Sequence, residues 1–537
     1  MEESKSTNLK LVCGEDKNEK LSMLENILWE AASLIRGSVN PTDYKKYILP
    51  LIFYKRLSDT FTYEVNKLIE EGIIDSVDEV YELIEAEREE HGRPKSIRYV
   101  IPQEYHWDTI VKVSTNVGEK LTEALRGIAR LNPELSGIID VVDFNETHGG
   151  ERIISDDIIQ KVLQILNKMK MGPEDVEPDI LGRAYEYLIR KFAEDSGQSA
   201  GEFYTPCEVA WLMVNLLDPK PGSEVYDPAC GSGGLLIKSQ LYVRYKYPEE
   251  AKRKPLKLFG QEKLAFTYAI AKMNVILHNM EADIRRGDTI RNPKFLDDEG
   301  KLRQFDYVIA NPMWNQDFPE EVYINDKFDR FKFGIPPSNT GDWGWIQHMF
   351  ASAREKVVVI IDTGAVSRGS GTRGTNRERD IRKKFVENDF IEAVILTPEN
   401  LFYNTPAAGV IIVINKNKPE ERKGKVLLIN ASQEFKKGTP KNYMTEEHVS
   451  KIIGAYKEFK DIEDFSKVVT LEEIRKNDYN LSPSRYIPLI TEGEYREIPE
   501  ILQDLKRIEQ EAKEVDIELN RILNELGFEG YLPGEES

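Results

Sequence analysis

Glu224-Val225-Tyr226-Asp227-Pro228-Ala229-Cys230-Gly231-Ser232-Gly233-Gly234 decides the fold class. A short strand candidate, Glu224 to Pro228, runs directly into a glycine-rich strand-to-helix turn. Glycine lacks a Cβ, so such a turn lets backbone approach a ligand closely. The string is not the G-x-G-x-x-G dinucleotide fingerprint, because Leu236 stands where the third glycine would fall. It is not a P-loop either, since no Gly-Lys-Ser/Thr follows. Taken alone, the same turn also serves merely to join a strand to a helix.

Downstream the pattern repeats. From about 200 to 420, apolar strand candidates alternate with helical segments: Leu256 to Glu262, Ala282 to Arg286, Phe305 to Ala310, Lys356 to Asp362, Ile391 to Leu396 and Gly409 to Ile414. With Glu224 to Pro228 they make seven, and their apolar runs suit strands buried on both faces of a parallel-sheet α/β domain. Ligands of open α/β sheets bind outside the carboxyl ends of the strands. Three acids stand there. Asp227 precedes the turn and can hold a cationic amine, Glu262 can accept from both ribose hydroxyls, and Asp288 can meet an adenine amine. Each acid alone is more often a cap or a solvated residue; their ordered placement makes them a set.

Asn311-Pro312-Met313-Trp314 ends the strand candidate Phe305 to Ala310. The Asn311 carboxamide oxygen and the Pro312 carbonyl are both acceptors, suited to the two hydrogens of an exocyclic amine. Drawing those hydrogens out of the ring plane localises the nitrogen lone pair for in-line attack on a sulfonium methyl. Pro312 fixes the backbone and Trp314 offers a face for stacking. A base nitrogen inside a duplex is out of reach for such attack, so the base must be flipped out. The plain alternative is a strand, a turn and a core tryptophan. With the glycine turn and the strand-end acids upstream, the arrangement points to methyl transfer from S-adenosylmethionine to a planar amine.

The flanks differ from this core. Residues 1–19 are polar and expected to be flexible. Residues 20–170 are helical in pattern, with Leu21, Leu24, Leu28, Ala31, Ala32 and Ile35 on one face and a second helix from Tyr44 to Leu57 after Asn40-Pro41-Thr42-Asp43. Lys170-Met171-Gly172-Pro173 is a turn-rich joint, so the catalytic domain is expected over 171–455 and a C-terminal helical region over 456–537. There Leu502, Leu505, Ile508, Ala512, Val515, Leu519, Ile522 and Leu526 step by three or four, a coiled-coil-like seam. It either packs on its own domain or docks a partner.

At 537 residues, with 40% hydrophobic and 31% charged residues, the composition is that of a soluble multidomain protein. No apolar stretch approaches the roughly 20 residues needed to span a bilayer, and no signal-peptide pattern opens the chain. Cytoplasm is the expected compartment. Cys13, Cys207 and Cys230 show no paired spacing for zinc or a disulfide framework, and the six histidines form no ligand-spaced cluster, so no metal is expected. The net charge of −20 opposes autonomous binding to phosphates. If DNA is the substrate, either a local basic face or a partner subunit must do the holding, and a partner is expected. The segment Ser367-Arg368-Gly369-Ser370-Gly371-Thr372-Arg373-Gly374-Thr375 is flexible in composition and carries arginines that could cover a flipped base, touch phosphate or do neither.

These motifs resemble the modification (M) subunit of type I restriction–modification systems, an adenine-N6 DNA methyltransferase. Gly201-Glu202-Phe203-Tyr204-Thr205-Pro206 resembles the family segment that lines the methionine end of the cofactor, implicating Phe203, Tyr204 and Thr205. Asp227 to Gly234 resembles the main cofactor loop, implicating Asp227, Ala229, Gly231, Ser232, Gly233 and Gly234 beside Glu262 and Asp288. Asn311 to Trp314 resembles the Asn-Pro-Pro-aromatic catalytic motif, implicating Asn311, Pro312 and Trp314, with Met313 in place of the usual second proline and some rigidity lost. Leu28-Trp29-Glu30-Ala31-Ala32, Tyr47 to Lys55, Thr397 to Phe402 and Asn477 to Ser482 extend the likeness over most of the chain.

The resemblance implies a Rossmann-like methyltransferase domain with a mostly parallel seven-stranded sheet between an all-helical domain and a C-terminal helical region. It implies DNA as substrate and a separate specificity (S) subunit that reads the target sequence, two M subunits to one S. A restriction (R) subunit can join. Two other readings compete: a protein glutamine methyltransferase, which uses a similar tetrapeptide, and a non-catalytic assembly subunit that keeps the fold.

Overall fold

The computed structural model describes residues 9–13, 19–36, 39, 44–196, 204–488 and 498–525. The chain divides between Ile487 and Pro488 into two compact units. Among the described residues, no helix is long and apolar enough to cross a membrane.

The first unit opens with helices. Glu19–Ile35 buries Leu21, Leu24, Leu28, Ala31, Ala32 and Ile35, the face expected from their spacing, together with Ile27. The next helix starts at Tyr44 as expected but runs to Glu70, well beyond Leu57, with Pro50 inside it. Phe61, Val65 and Leu68 are buried and keep the apolar period going. Burial on both sides of Pro50 outweighs the one backbone bond that the proline removes. A two-residue ribbon, β1 (Thr147–His148) with β2 (Glu151–Arg152), is the only pairing among these helices in the described residues.

The sheet follows: β3 (Glu224–Asp227), β4 (Lys257–Glu262), β5 (Ala282–Arg286), β6 (Phe305–Ala310), β7 (Ala353–Asp362), β8 (Ile391–Leu396), β9 (Gly409–Asn415), β10 (Lys425–Asn430) and β11 (Ser466–Thr470). It has nine strands in the order β11-β10-β8-β9-β7-β6-β3-β4-β5. The expected seven are all present, so the sheet is larger than anticipated by β10 and β11. β10 is fully buried after its first residue, and β11 is a short edge strand paired antiparallel to it. β9 runs antiparallel to both neighbours, and the remaining adjacent pairs are parallel. Residues 456–487, expected with the C-terminal helical region, instead carry β11 and bury Ile474, Leu481 and Ile487 in the sheet's core.

Chain order reverses at β3, which lies between β4 and β6. A crevice opens at such a switch point. Register lines up its rim: Tyr226 pairs with Val308, Asp227 with Gly260 and Glu262 with Arg286. Helix Ala265–Leu277 joins the sheet to the N-terminal helices, since Ala269, Ile270, Met273 and Leu277 share one core with Leu49, Leu181 and Tyr185.

A disulfide joins Cys13 to Cys207. Spacing along the chain did not suggest it, because 194 residues separate the two and folding alone brings them together. Leu9 and Val12, on the short helix ending at Cys13, are buried beside helix Cys207–Leu217. The second unit is described by one 28-residue helix, Ile498–Glu525.

Candidate active site

The glycine turn is held by its own backbone. Gly231 and Gly233 take positive φ values of 53° and 80°, a region that side chains with a Cβ rarely occupy. The Gly233 amide donates to the Cys230 carbonyl at 2.8 Å, and the Cys230 amide donates to the Gln261 carbonyl at 3.1 Å. A Cβ on Gly260 would come within 3.0 Å of Cys230 Sγ, so any larger residue at this strand position would press on the turn that lies against β4.

The three acids differ in their surroundings. Glu262 accepts from the amides of Gly231 at 3.1 Å and Leu264 at 2.8 Å, which fixes its carboxylate at the rim. Asp288 accepts from the Arg291 amide and guanidinium and faces Lys263 at 3.1 Å. Burial works to raise its pKa, but these hydrogen bonds and charges prevail and hold it below the usual carboxylate range. Asp227 is 1% exposed and accepts from the Ala229 amide at 3.0 Å. Burial, helped by the nearby Glu262 charge, pushes it up to about 8.

Asn311 is buried and bound at both ends. Its Nδ2 donates to Thr205 Oγ1 at 3.0 Å, and its Oδ1 accepts from the Trp314 indole N–H at 3.1 Å. An indole nitrogen only donates, so the atom facing it must be the oxygen; Trp314 thereby settles which way the amide points. The Trp314 ring packs edge-on against Phe402, with centroids 4.9 Å apart.

A cavity of about 240 Å³ joins these parts. Tyr204, Ala229, Gly231, Ser232, Glu262, Asp288 and Asn311 line it, as does Met313. A smaller cavity of about 30 Å³ adjoins it and is lined by Thr205, Asp227 and Gly234. Pro312, Trp314 and Gly233 line neither, and Phe203 lies outside the described residues. Sequence reasoning missed the apolar wall: Leu49 from helix Tyr44–Glu70, Ile189 and Phe192 from Pro178–Ser196, and Ile270 from Ala265–Leu277. No local motif marks Ile189, Phe192 or Ile270, and the segment Tyr47 to Lys55 gave no sign that Leu49 meets the cleft, because these residues reach it only through the packing of the helical part on the sheet. The apolar wall suits a purine, Glu262 a pair of hydroxyls and Asp227 a cation, so the residues present fit S-adenosylmethionine.

Residues 176–494 match the family described as N-6 DNA methylase, and residues 24–166 match the HsdM N-terminal domain. The chain belongs to the N-6 DNA methylase family. It is 39% identical over 520 residues to the type I restriction enzyme MjaVII methylase subunit of Methanocaldococcus jannaschii, covering 93% of this chain and 83% of the relative. To the HindI methylase subunit of Haemophilus influenzae it is 30% identical over 438 residues, covering 77% and 94%. The crystal structure of a type I restriction–modification methyltransferase subunit from Streptococcus thermophilus matches with a TM-score of 0.74 at 29% identity, covering 87% of this chain and 99% of that one. A structure from a type I assembly shares the fold at a TM-score of 0.60 and 21% identity, covering 94% and 98%. This N-6 DNA methylase is therefore a type I modification subunit, an S-adenosylmethionine-dependent enzyme that methylates adenine N6 in DNA.

Proposed function

We propose that Asn311 and Pro312 are the catalytic acceptors of this methyltransferase and that the glycine turn, Tyr204, Thr205, Asp227, Glu262 and Asp288 hold its cofactor. One observation carries the reading: Asn311, oriented by Thr205 and Trp314, lines the same cleft as Gly231 and Glu262. When bound, S-adenosylmethionine supplies an electrophilic methyl on a sulfonium. Asn311 Oδ1 keeps one lone pair beyond the bond from Trp314, and with the Pro312 carbonyl it accepts the two hydrogens of a flipped adenine amine. The lone pair of N6 then points out of the ring plane for in-line attack, and the amine's proton leaves after transfer. Trp314 acts first by orienting Asn311; its ring, packed on Phe402, would need to turn to stack on a base.

The same chain would work within an assembly. A separate specificity subunit reads the target, two copies of this chain flank it, and a restriction subunit can join. Helix Ile498–Glu525 is the docking element, because it presents Leu502, Leu505, Ile508, Val515, Leu519 and Ile522 exposed along its length; Leu526 lies outside the described residues. The DNA substrate places the chain in the cytoplasm. Product analysis tests the reaction and its dependence on a partner. Labelled S-adenosylmethionine and unmethylated DNA are incubated with the chain, with and without a specificity subunit, and the nucleosides are separated. Label in N6-methyladenine only with the partner is the expected result. Label without it would refute the docking reading, and label in protein alone would favour a glutamine methyltransferase.

A further inference from the structure

The smaller cavity shares Tyr204, Gly231 and Asn311 with the main cleft. One of its walls is an ion pair that no motif explains: Lys238 Nζ against Glu186 Oε2, with side chains 3% and 10% exposed. Lys238 sits on helix Gly234–Lys246, which leaves the glycine turn, and Glu186 on helix Pro178–Ser196. Taking two charges out of water costs more than their attraction returns unless the remaining donors and acceptors are satisfied. Here they are not. An ammonium has three N–H donors, and among the described residues Lys238 has one acceptor, Glu186. Glu186 Oε1 accepts no hydrogen bond there, and His278 Nε2 stands 3.8 Å from it.

The cavity's other charges give the pair a purpose. Lys238 is the one cation among the described residues that line it, and Asp227 lines it too. Gly234, the first residue of a 13-residue helix, is also on its wall, and the free amides of a helix N-terminus favour an anion. The amino-acid end of S-adenosylmethionine carries one ammonium and one carboxylate. With Asp227 facing the ammonium, the carboxylate needs a cation that is already desolvated and held.

We infer that Lys238 binds the α-carboxylate of S-adenosylmethionine and that Glu186 is its positioning residue. The inference rests on the cofactor placement proposed above. A spare ammonium donor then finds its acceptor in the ligand, and the charge pair is retained because it discriminates between ligands.

Calorimetric titration of the full chain with S-adenosylhomocysteine and with 5′-methylthioadenosine, which lacks the amino-acid end, tests it. A charge-assisted hydrogen bond lost from the ligand corresponds to roughly 10- to 100-fold in affinity. Lys238→Met should therefore weaken S-adenosylhomocysteine by about that factor and leave 5′-methylthioadenosine unchanged. Because Lys238→Met strands a buried carboxylate, the double variant Glu186→Gln/Lys238→Met, which removes both charges, should show the same selective loss. Glu186→Gln alone should reduce the preference for S-adenosylhomocysteine by a smaller factor. Equal weakening of both ligands, or no change in either, would mean a purely structural pair and overturn the inference. A wild-type chain that binds neither ligand would instead refute the cofactor placement beneath it.

Discussion

Asn311 and Asp227 show what single residues contribute. Asn311 was legible as an acceptor from its place after a strand, but the sequence offered no sign that Thr205 and Trp314 would settle the direction of its amide. Asn311→Ala should cut the rate of DNA methylation roughly 100- to 1,000-fold, the range for losing one preorganised polar contact in a transition state. S-adenosylhomocysteine binding should stay within a few-fold of wild type. A variant that methylates at the wild-type rate would remove the mechanism. Asp227 was legible as a partner for a cation but not as an acid that holds its proton near neutrality. Its carboxyl titrates near 8 because burial disfavours the charge, and a cation beside it favours the carboxylate. Binding below pH 8 then releases a proton, so affinity for S-adenosylmethionine should rise with pH by up to about tenfold per unit and level off near that value. Titration calorimetry in two buffers of different ionisation enthalpy reads the released proton directly. Asp227→Asn should abolish both the release and the slope.

At the scale of elements, the loop around Arg368 is the clearest departure from composition. Its glycines and serines suggested a mobile arm. The structure ties Arg368 to Asp362 at 2.8 Å, to Glu378 at 2.6 Å, to Asp342 and to the Asn315 side chain at 3.0 Å. Asn315 follows the tetrapeptide Asn311 to Trp314, and its backbone amide donates to Asp342 at 2.8 Å. Burial pushes Asp342 up to about 6, against the pull of Asn315 and Arg368. Arg368→Met would leave this buried carboxyl without its main counter-charge and should cost about 3–5 kcal/mol of stability, read as a lower urea midpoint at neutral pH. The disulfide is a second element-scale feature. By the chain-entropy relation, a cross-link closing so long a loop contributes at most about 5 kcal/mol. Cys13→Ser should lower the unfolding midpoint, and dithiothreitol should lower it in wild type but not in the variant. An unshifted midpoint in both would show that the bond is not formed in solution.

Over the whole molecule, charge and assembly dominate. A net charge of −20 leaves the chain poorly suited to hold phosphate by itself. The exposed apolar row on helix Ile498–Glu525, with Leu505 and Ile508 53% and 57% exposed, is the docking surface proposed above. The double variant Leu505→Asp/Ile508→Asp should fail to co-purify with a specificity subunit and lose partner-dependent DNA binding. Its S-adenosylhomocysteine affinity should be unchanged. Retained DNA binding would move the docking surface elsewhere.

Local order was readable because it is local. The seven strands, the glycine turn, the acids at the strand ends and Asn311 each announce themselves within a few residues, through apolar period, glycine content or position after a strand. The family likeness carried by those motifs was legible for the same reason. What depended on residues far apart in the chain was not. β10 and β11 close the sheet's edge, Leu49 and Phe192 wall the cleft, Cys13 meets Cys207, and Lys238 meets Glu186. Each of these needs two segments to be brought together by a shared core. The amino-acid sequence by itself determined which chemistry the chain carries, and the tertiary structure decided which side chains surround it.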